Sequence, residues 1–170
     1  APAYNEEPTC VEATRSLLTL RYSDFEILVV NDGSKDQTLA RLTEAFDLEP
    51  AYRLPVGDIK TKSIRGVYRS KHHTKLWVID KENGGKADTL NAGLNYCRTP
   101  IFCGMDADSL LEREALTRIV RPFVEDSRTV AAGGIIRIIN GCTVSEGTVT
   151  NVQLPKELIP KFQVLEYLRA

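Results

Sequence analysis

No stretch of this chain approaches the roughly 20 consecutive apolar residues that a membrane-spanning helix needs, so no span is expected within it. Charge of one sign is missing too. The 22 Lys and Arg against 23 Asp and Glu leave a net charge of -1, which excludes the broad basic surface that nucleic-acid binding requires. The four cysteines, Cys10, Cys97, Cys103 and Cys142, show no CxxC spacing. They therefore read as reduced core residues in a cytosolic setting and not as a zinc site or disulfide frame. The two histidines, His72 and His73, are neighbours with no third ligand close in sequence, and are expected on the surface. No initiator Met and no signal peptide are present. The chain opens on APAYNEE and stops at EYLRA inside a helical pattern, so it reads as a piece of a longer, soluble globular domain.

What is there centres on IFCGMDADSLLE, residues 101–112. Ile101 to Met105 is an apolar run long enough for one buried strand, and Asp106 and Asp108 stand at its end. Ser109 with Glu112 matches the capping box that opens a helix. Two like charges one residue apart repel, and a divalent cation between them and an anionic substrate relieves that repulsion. The alternative is a plain turn in which Asp108 caps the helix.

The rest of the chain repeats the strand–turn–helix pattern. Ala1 to Tyr4 reads as a strand end, followed by a helix through Val11, Thr14, Leu17 and Leu18. Glu26 to Asn31 (EILVVN) is a buried strand ending in DGSKDQT, where Ser34 and Gln37 form a second capping-box pattern. Leu39, Leu42, Ala45 and Phe46 mark the next helix's inner face. Residues 51–75 carry seven basic residues against Asp58 alone and read as an irregular solvated loop, with acidic lipid headgroups or an anionic ligand as the alternative partner. LWVID (76–80) is a further strand, and KENGGKADTLNAGL a Gly-Gly turn feeding a helix with Ala87, Leu90, Leu94 and Cys97 inward. Lys86 stands at that helix start, where the macrodipole favours anions; a bound anion explains it, and so does a lysine that simply faces solvent. Leu111, Ala115, Ile119, Val120 and Phe123 outline another helix. Thr129 to Ile139 reads as a strand region, Asn140-Gly141 is a hairpin signal, and the return strand covers Thr143 to Val152. Pro155 opens a last helix with Phe162, Leu165 and Leu168 inward.

This alternation predicts an α/β fold: a Rossmann-like, mainly parallel sheet flanked by helices, with a hairpin near residues 135–153. Parallel strands place the turns at Asp32, Gly84–Lys86 and Asp106 on one carboxyl edge, where open α/β sheets bind ligands.

Four blocks, PAYNEE (2–7), EILVVNDGSKDQT (26–38), NGGKADTLNAGL (83–94) and DADS (106–109), occur in the order found in family-2 glycosyltransferases of GT-A fold. The sequence resembles the nucleotide-binding half of that family. AAGGIIRIINGC and FQVLEYLR resemble its membrane-embedded bacterial polysaccharide synthases, such as poly-N-acetylglucosamine synthase. The resemblance implies a single GT-A domain fragment over residues 1–170, truncated at both ends, that binds a UDP-sugar (UDP-N-acetylglucosamine or UDP-glucose) for an inverting transfer to a carbohydrate acceptor. By that resemblance Tyr4 lies against the uracil face, with the Ala3 backbone and Glu6 near base and ribose. Asp32 accepts the uracil ring N–H, and Lys86 neutralises nucleotide charge. Asp106 touches the nucleotide and the surroundings of the metal, while Asp108 ligates Mg²⁺ or Mn²⁺ on the diphosphate. The resemblance also implies membrane helices outside this stretch and a place on the cytoplasmic face of the cell membrane.

One departure matters. The resembling enzymes carry a general-base carboxylate and a Gln/Arg/Trp motif after this region, and neither occurs before Ala170; Trp77 lies in a strand and cannot substitute. The fragment is therefore expected to bind donor without transferring sugar. Two other readings stand beside this one. Haloacid-dehalogenase-type phosphatases also use DxD after a strand, but want Thr or Val where this chain has Leu110. A non-catalytic nucleotide-binding module is the other.

Overall fold

The computed structural model describes residues 1–106, 109–135, 138–145 and 148–167. In chain order the elements are β1 (Pro2–Ala3), α1 (Cys10–Leu18), β2 (Ile27–Asn31), α2 (Thr38–Phe46), β3 (Leu48–Pro50), β4 (Ile64–Ser70), β5 (Leu76–Lys81), α3 (Lys86–Tyr96), α4 (Ala115–Glu125), β6 (Thr143–Ser145), β7 (Thr148–Asn151) and α5 (Leu158–Tyr167). The five-stranded sheet runs β1-β2-β5-β4-β3. β1, β2 and β5 are parallel, whereas β4 is antiparallel to both β5 and β3. The expected α/β sheet flanked by helices is present, and its parallel half carries the site.

β2 and β5 are continuous apolar runs because both of their faces are covered. Successive side chains of a strand point to opposite faces. Ile27, Val29, Leu76 and Val78 join Cys10 and Leu17 of α1 and Leu42 and Phe46 of α2. Val30 and Ile79 meet Ala92 and Tyr96 of α3 on the other side. Leu42, Leu76, Val78 and Ile79 have no solvent exposure. Burying side chains of this size contributes about 1.5–3 kcal/mol each.

Several local expectations are corrected. Residues 51–75 are not one irregular loop, since 64–70 form β4. Their charge is absorbed across the sheet: Arg65 pairs with Asp80 at 2.7 Å, and Arg53 and Arg69 stack on Trp77 at 4.5 and 5.2 Å. Ser34 and Gln37 do not cap α2; Asp36 does, its carboxylate accepting from the Thr38 amide at 3.0 Å. Residues 101–105 form no strand. The edge they would join offers only Pro2, which lacks an N–H, and Ala3. The helix expected after Ser109 starts at Ala115.

The hairpin exists as β6 and β7, but Asn140-Gly141 is a separate turn ahead of it, and residues 129–135 and 138–139 contain no strand. On α3 the buried face is Thr89, Ala92, Asn95 and Tyr96, so Ala87 is exposed. Ala45 is exposed on α2 as well. Phe162 and Leu165 of α5 are exposed, and Leu168 lies outside the described residues. Of the cysteines only Cys10 is buried, and Cys103 is exposed. Among the described residues no helix is long and apolar enough to cross a membrane.

Candidate functional site at the carboxyl edge

β2 and β5 end side by side, with Asn31 opposite Asp80. The polar residues just beyond form one connected set. Asn31 donates to Asp80 at 2.7 Å, and Asp80 also accepts from Arg65. Ser34 donates to Asn31 at 2.5 Å and accepts from the Asn5 amide at 3.0 Å. The Glu6 amide donates to Thr38 and the Glu7 amide to Asp36. The loop after β1 is thereby held on the turn after β2.

Asp32 sits at the centre of this edge. Its backbone N–H donates to the Ala3 carbonyl at 2.9 Å. Its buried carboxylate accepts from the Lys81 ammonium at 2.6 Å, the Gly84 amide at 2.9 Å, the Gly85 amide at 2.8 Å and the Asn83 side-chain amide at 3.2 Å. Burial raises the proton affinity of this carboxyl, but Lys81 and the two glycine amides outweigh it and hold the group below its ordinary value. An ionised carboxylate has about four acceptor positions, so Asp32 is fully occupied. The Gly-Gly turn therefore spends its amides on an internal anion. Packing leaves no room for a side chain at Gly33 or Gly84: a Cβ on Gly33, which has φ of 66°, meets the Asn83 nitrogen at 2.8 Å, and one on Gly84 meets Asp88 at 2.5 Å. Gly85 has open space beside it and a φ of 86° that favours glycine.

Lys81 is the residue that sequence reading missed. It has no solvent exposure, and its ammonium also contacts Asp88 at 2.6 Å and the Glu82 carbonyl at 2.6 Å. Burial lowers its proton affinity, yet the two carboxylates more than restore it and raise it above the usual lysine value. Asp88 accepts from the Lys62 amide at 3.0 Å, tying down the segment before β4. The available signal was an apolar strand, LWVI, that ends in the adjacent charges Asp80 and Lys81.

The other expected residues are placed as follows. Ala3 is buried and Tyr4 is exposed at 43%, at the rim. The Glu6 carboxylate accepts from Thr9 at 2.7 Å, and its carbonyl accepts the Thr9 and Cys10 amides that start α1. Lys86, in the first turn of α3, reaches the Asp106 carboxylate at 2.5 Å, with both side chains more than half exposed. An open cavity of about 140 Å³ lies beside this pair, lined by Lys86, Leu90, Gly104, Met105 and Asp106. Asp108 lies outside the described residues. Among the described residues no three His, Cys, Asp or Glu side chains converge as a metal cage. The donor chemistry at Asp106 still fits a hard cation of the magnesium type, which takes one or two carboxylates and completes its shell with water and substrate phosphates. His72 is on the surface beside Asp47, and His73 meets the Phe46 ring edge-on.

Comparison with known proteins gives the family. The family model described as glycosyl transferase family 2 matches residues 1–74 and 59–163. Poly-beta-1,6-N-acetyl-D-glucosamine synthase of Staphylococcus aureus is 28% identical over 142 residues, covering 83% of this chain and 28% of that protein. An uncharacterized glycosyltransferase of Haemophilus influenzae is 28% identical over 137 residues, 81% of this chain and 35% of that protein. The chain thus spans about a third or less of the curated relatives it matches. No solved structure matches it.

Proposed function

The chain belongs to glycosyl transferase family 2, and we propose that it is the donor-binding part of an inverting, metal-dependent glycosyltransferase that uses a UDP-sugar. The parent enzyme is read as a cell-surface polysaccharide synthase on the cytoplasmic face of the membrane, taking UDP-N-acetylglucosamine or UDP-glucose to a carbohydrate acceptor. One observation carries the reading. The loop after β1, the Asp32 turn, the Gly-Gly turn and the Lys86–Asp106 pair converge on the carboxyl edge of three parallel strands.

Each residue has a task that its surroundings support. Tyr4, exposed at the rim, offers an aromatic face on which a base can stack. The weakest bond to the Asp32 carboxylate is the 3.2 Å contact from exposed Asn83, so a uracil N–H takes the place of that amide. Lys86 leaves Asp106 for the diphosphate, since an ammonium on an exposed carboxylate gains little there. Asp106, so released, and Asp108 would hold Mg²⁺ or Mn²⁺ against the phosphates. That cation supplies stabilisation of the negative charge that develops on departing UDP.

The test is calorimetric titration of UDP with Mn²⁺ and with EDTA. The reading expects tighter binding with Mn²⁺ and loss of that gain in Asp108→Asn. Equal affinity under both conditions refutes metal-assisted binding.

A further inference from the structure

Two carboxylates share one buried ammonium beneath the Gly-Gly turn, and the Lys86–Asp106 pair makes no use of that cluster. Lys81 is fully enclosed and lies 2.6 Å from both Asp32 and Asp88. Through Asp32 it fixes the Gly84 and Gly85 amides, and through Asp88 it fixes the Lys62 amide. Its own reach to the Glu82 carbonyl closes the ring. We propose that Lys81 is a positioning residue that sets base selection, holding Asp32 as an acceptor-only carboxylate directed at the base. This rests on the uridine-nucleotide reading above.

The chemistry follows from what a carboxyl group can do in its two states. Ionised, it only accepts hydrogen bonds; protonated, it carries one O–H donor. Uracil presents an N–H at ring position 3, which an ionised Asp32 accepts. Cytosine presents a bare nitrogen there, which an ionised carboxylate repels and a protonated one satisfies. A carboxyl buried as Asp32 is takes up a proton readily unless a cation is beside it, and Lys81 is that cation. Desolvation thus works against base discrimination, and the Lys81 contact overcomes it. Arg65 is the next cation on this edge, and it is already engaged by Asp80 at 2.7 Å.

The experiment compares UDP with CDP affinity, with Mn²⁺ in both arms, for the wild-type chain and for Lys81→Met/Asp88→Asn. The double change removes one positive and one negative charge, so the cluster keeps its net charge and a cooperative melt is expected. The UDP-over-CDP preference should fall by about tenfold or more, the scale of one charge-assisted hydrogen bond. Lys81→Arg, which restores the cation, should recover most of it. Ser70→Ala, a buried change at the far end of β4, should lower the melting temperature and leave the preference alone.

A folded double variant with the wild-type preference overturns the proposal. A wild-type chain with no preference overturns the uridine reading, and the proposal with it. If the double variant does not melt cooperatively, Lys81→Gln decides by the same ratio, having similar reach and no charge.

Discussion

Lys86 and Asp106 meet at 2.5 Å although both are more than half exposed and 20 positions apart in sequence. An exposed ion pair contributes about 1 kcal/mol or less, because water screens it. So weak a contact can be exchanged at little cost. A diphosphate carries more charge than one carboxylate, and at the start of α3 it would also meet the positive end of the helix dipole.

Lys86→Met should therefore leave stability almost unchanged while weakening UDP by about tenfold or more, as expected for losing a charge-assisted contact of about 1.5–3 kcal/mol. Urea denaturation and calorimetry on the same preparation separate the two effects. A large loss of stability with unaltered UDP affinity would make the pair structural.

Asp32 predicts the shape of the acid limb. Its folded-state affinity for a proton is below the ordinary value of 3.8. Its contribution to stability is thus present above that value and lost as pH falls through the lower folded one. The urea midpoint should begin to drop as pH falls toward 3.8 and keep dropping below it. Asp32→Asn should start from a lower midpoint at neutral pH and show a shallower drop. Lys81 has the opposite sign: its folded value is raised above 10.5, so its contribution is complete at neutral pH and is lost only as pH rises through that raised value. A variant with the wild-type acid slope would remove Asp32 from this account.

Arg53 ties the amino end of β2 to the last turn of α3, at the edge of the sheet opposite the site. Its guanidinium makes two bonds to Glu26, at 3.1 and 2.7 Å, and one to the Tyr96 carbonyl at 2.8 Å, while stacking 4.5 Å from the Trp77 ring. Arg53→Met should cost about 1.5–3 kcal/mol and shift the emission of Trp77, the single tryptophan. Arg53→Lys should recover only part of the loss, since an ammonium cannot reproduce the two-pronged geometry. Full recovery by lysine would show that charge alone matters.

Much of this edge was legible because short-range pattern and tertiary role coincide. EILVVN and LWVI are apolar where both sheet faces are covered, and DGS and NGG turn where the chain must turn. The misreadings share a cause, which is a partner distant in sequence. Arg65 looked solvated because its carboxylate, Asp80, lies 15 positions on. Arg69 looked solvated because Trp77 belongs to the next strand. Lys81 was passed over because a lysine at a strand end is ordinarily exposed, and only Asp32 and Asp88, brought together by the crossing of β2 and α3, make its burial tolerable. Ile101 to Met105 had the composition of a strand but a two-residue neighbour to pair with. Composition says what a segment can do, and the edge it meets decides whether it does.

The last prediction is that this chain binds donor nucleotide and transfers essentially no sugar. Among the described residues the aspartates that ring the cleft are each committed: Asp32 and Asp88 to Lys81, and Asp106 to Lys86. A general base needs a free lone pair within about 3 Å of the acceptor hydroxyl and a proton affinity near the working pH. Asp32 fails on both counts, being enclosed and held ionised by its cation. On the proposed reading Asp106, once freed by the diphosphate, would face phosphate and metal and not an acceptor. Missing general-base assistance forfeits about 10²–10⁴ in rate, and an acceptor must still be positioned. Slow hydrolysis of the donor by water is compatible with this account, since favouring the leaving group requires no acceptor base. The measurement is incubation with UDP-N-acetylglucosamine or UDP-glucose, Mn²⁺ and an oligosaccharide acceptor, beside a longer chain that includes more of the parent protein. The longer chain should extend the acceptor while this one releases only traces of UDP. Comparable extension by both would mean that a carboxylate within these residues deprotonates the acceptor, and Glu82, exposed beside the Gly-Gly turn, would be the first to replace with glutamine.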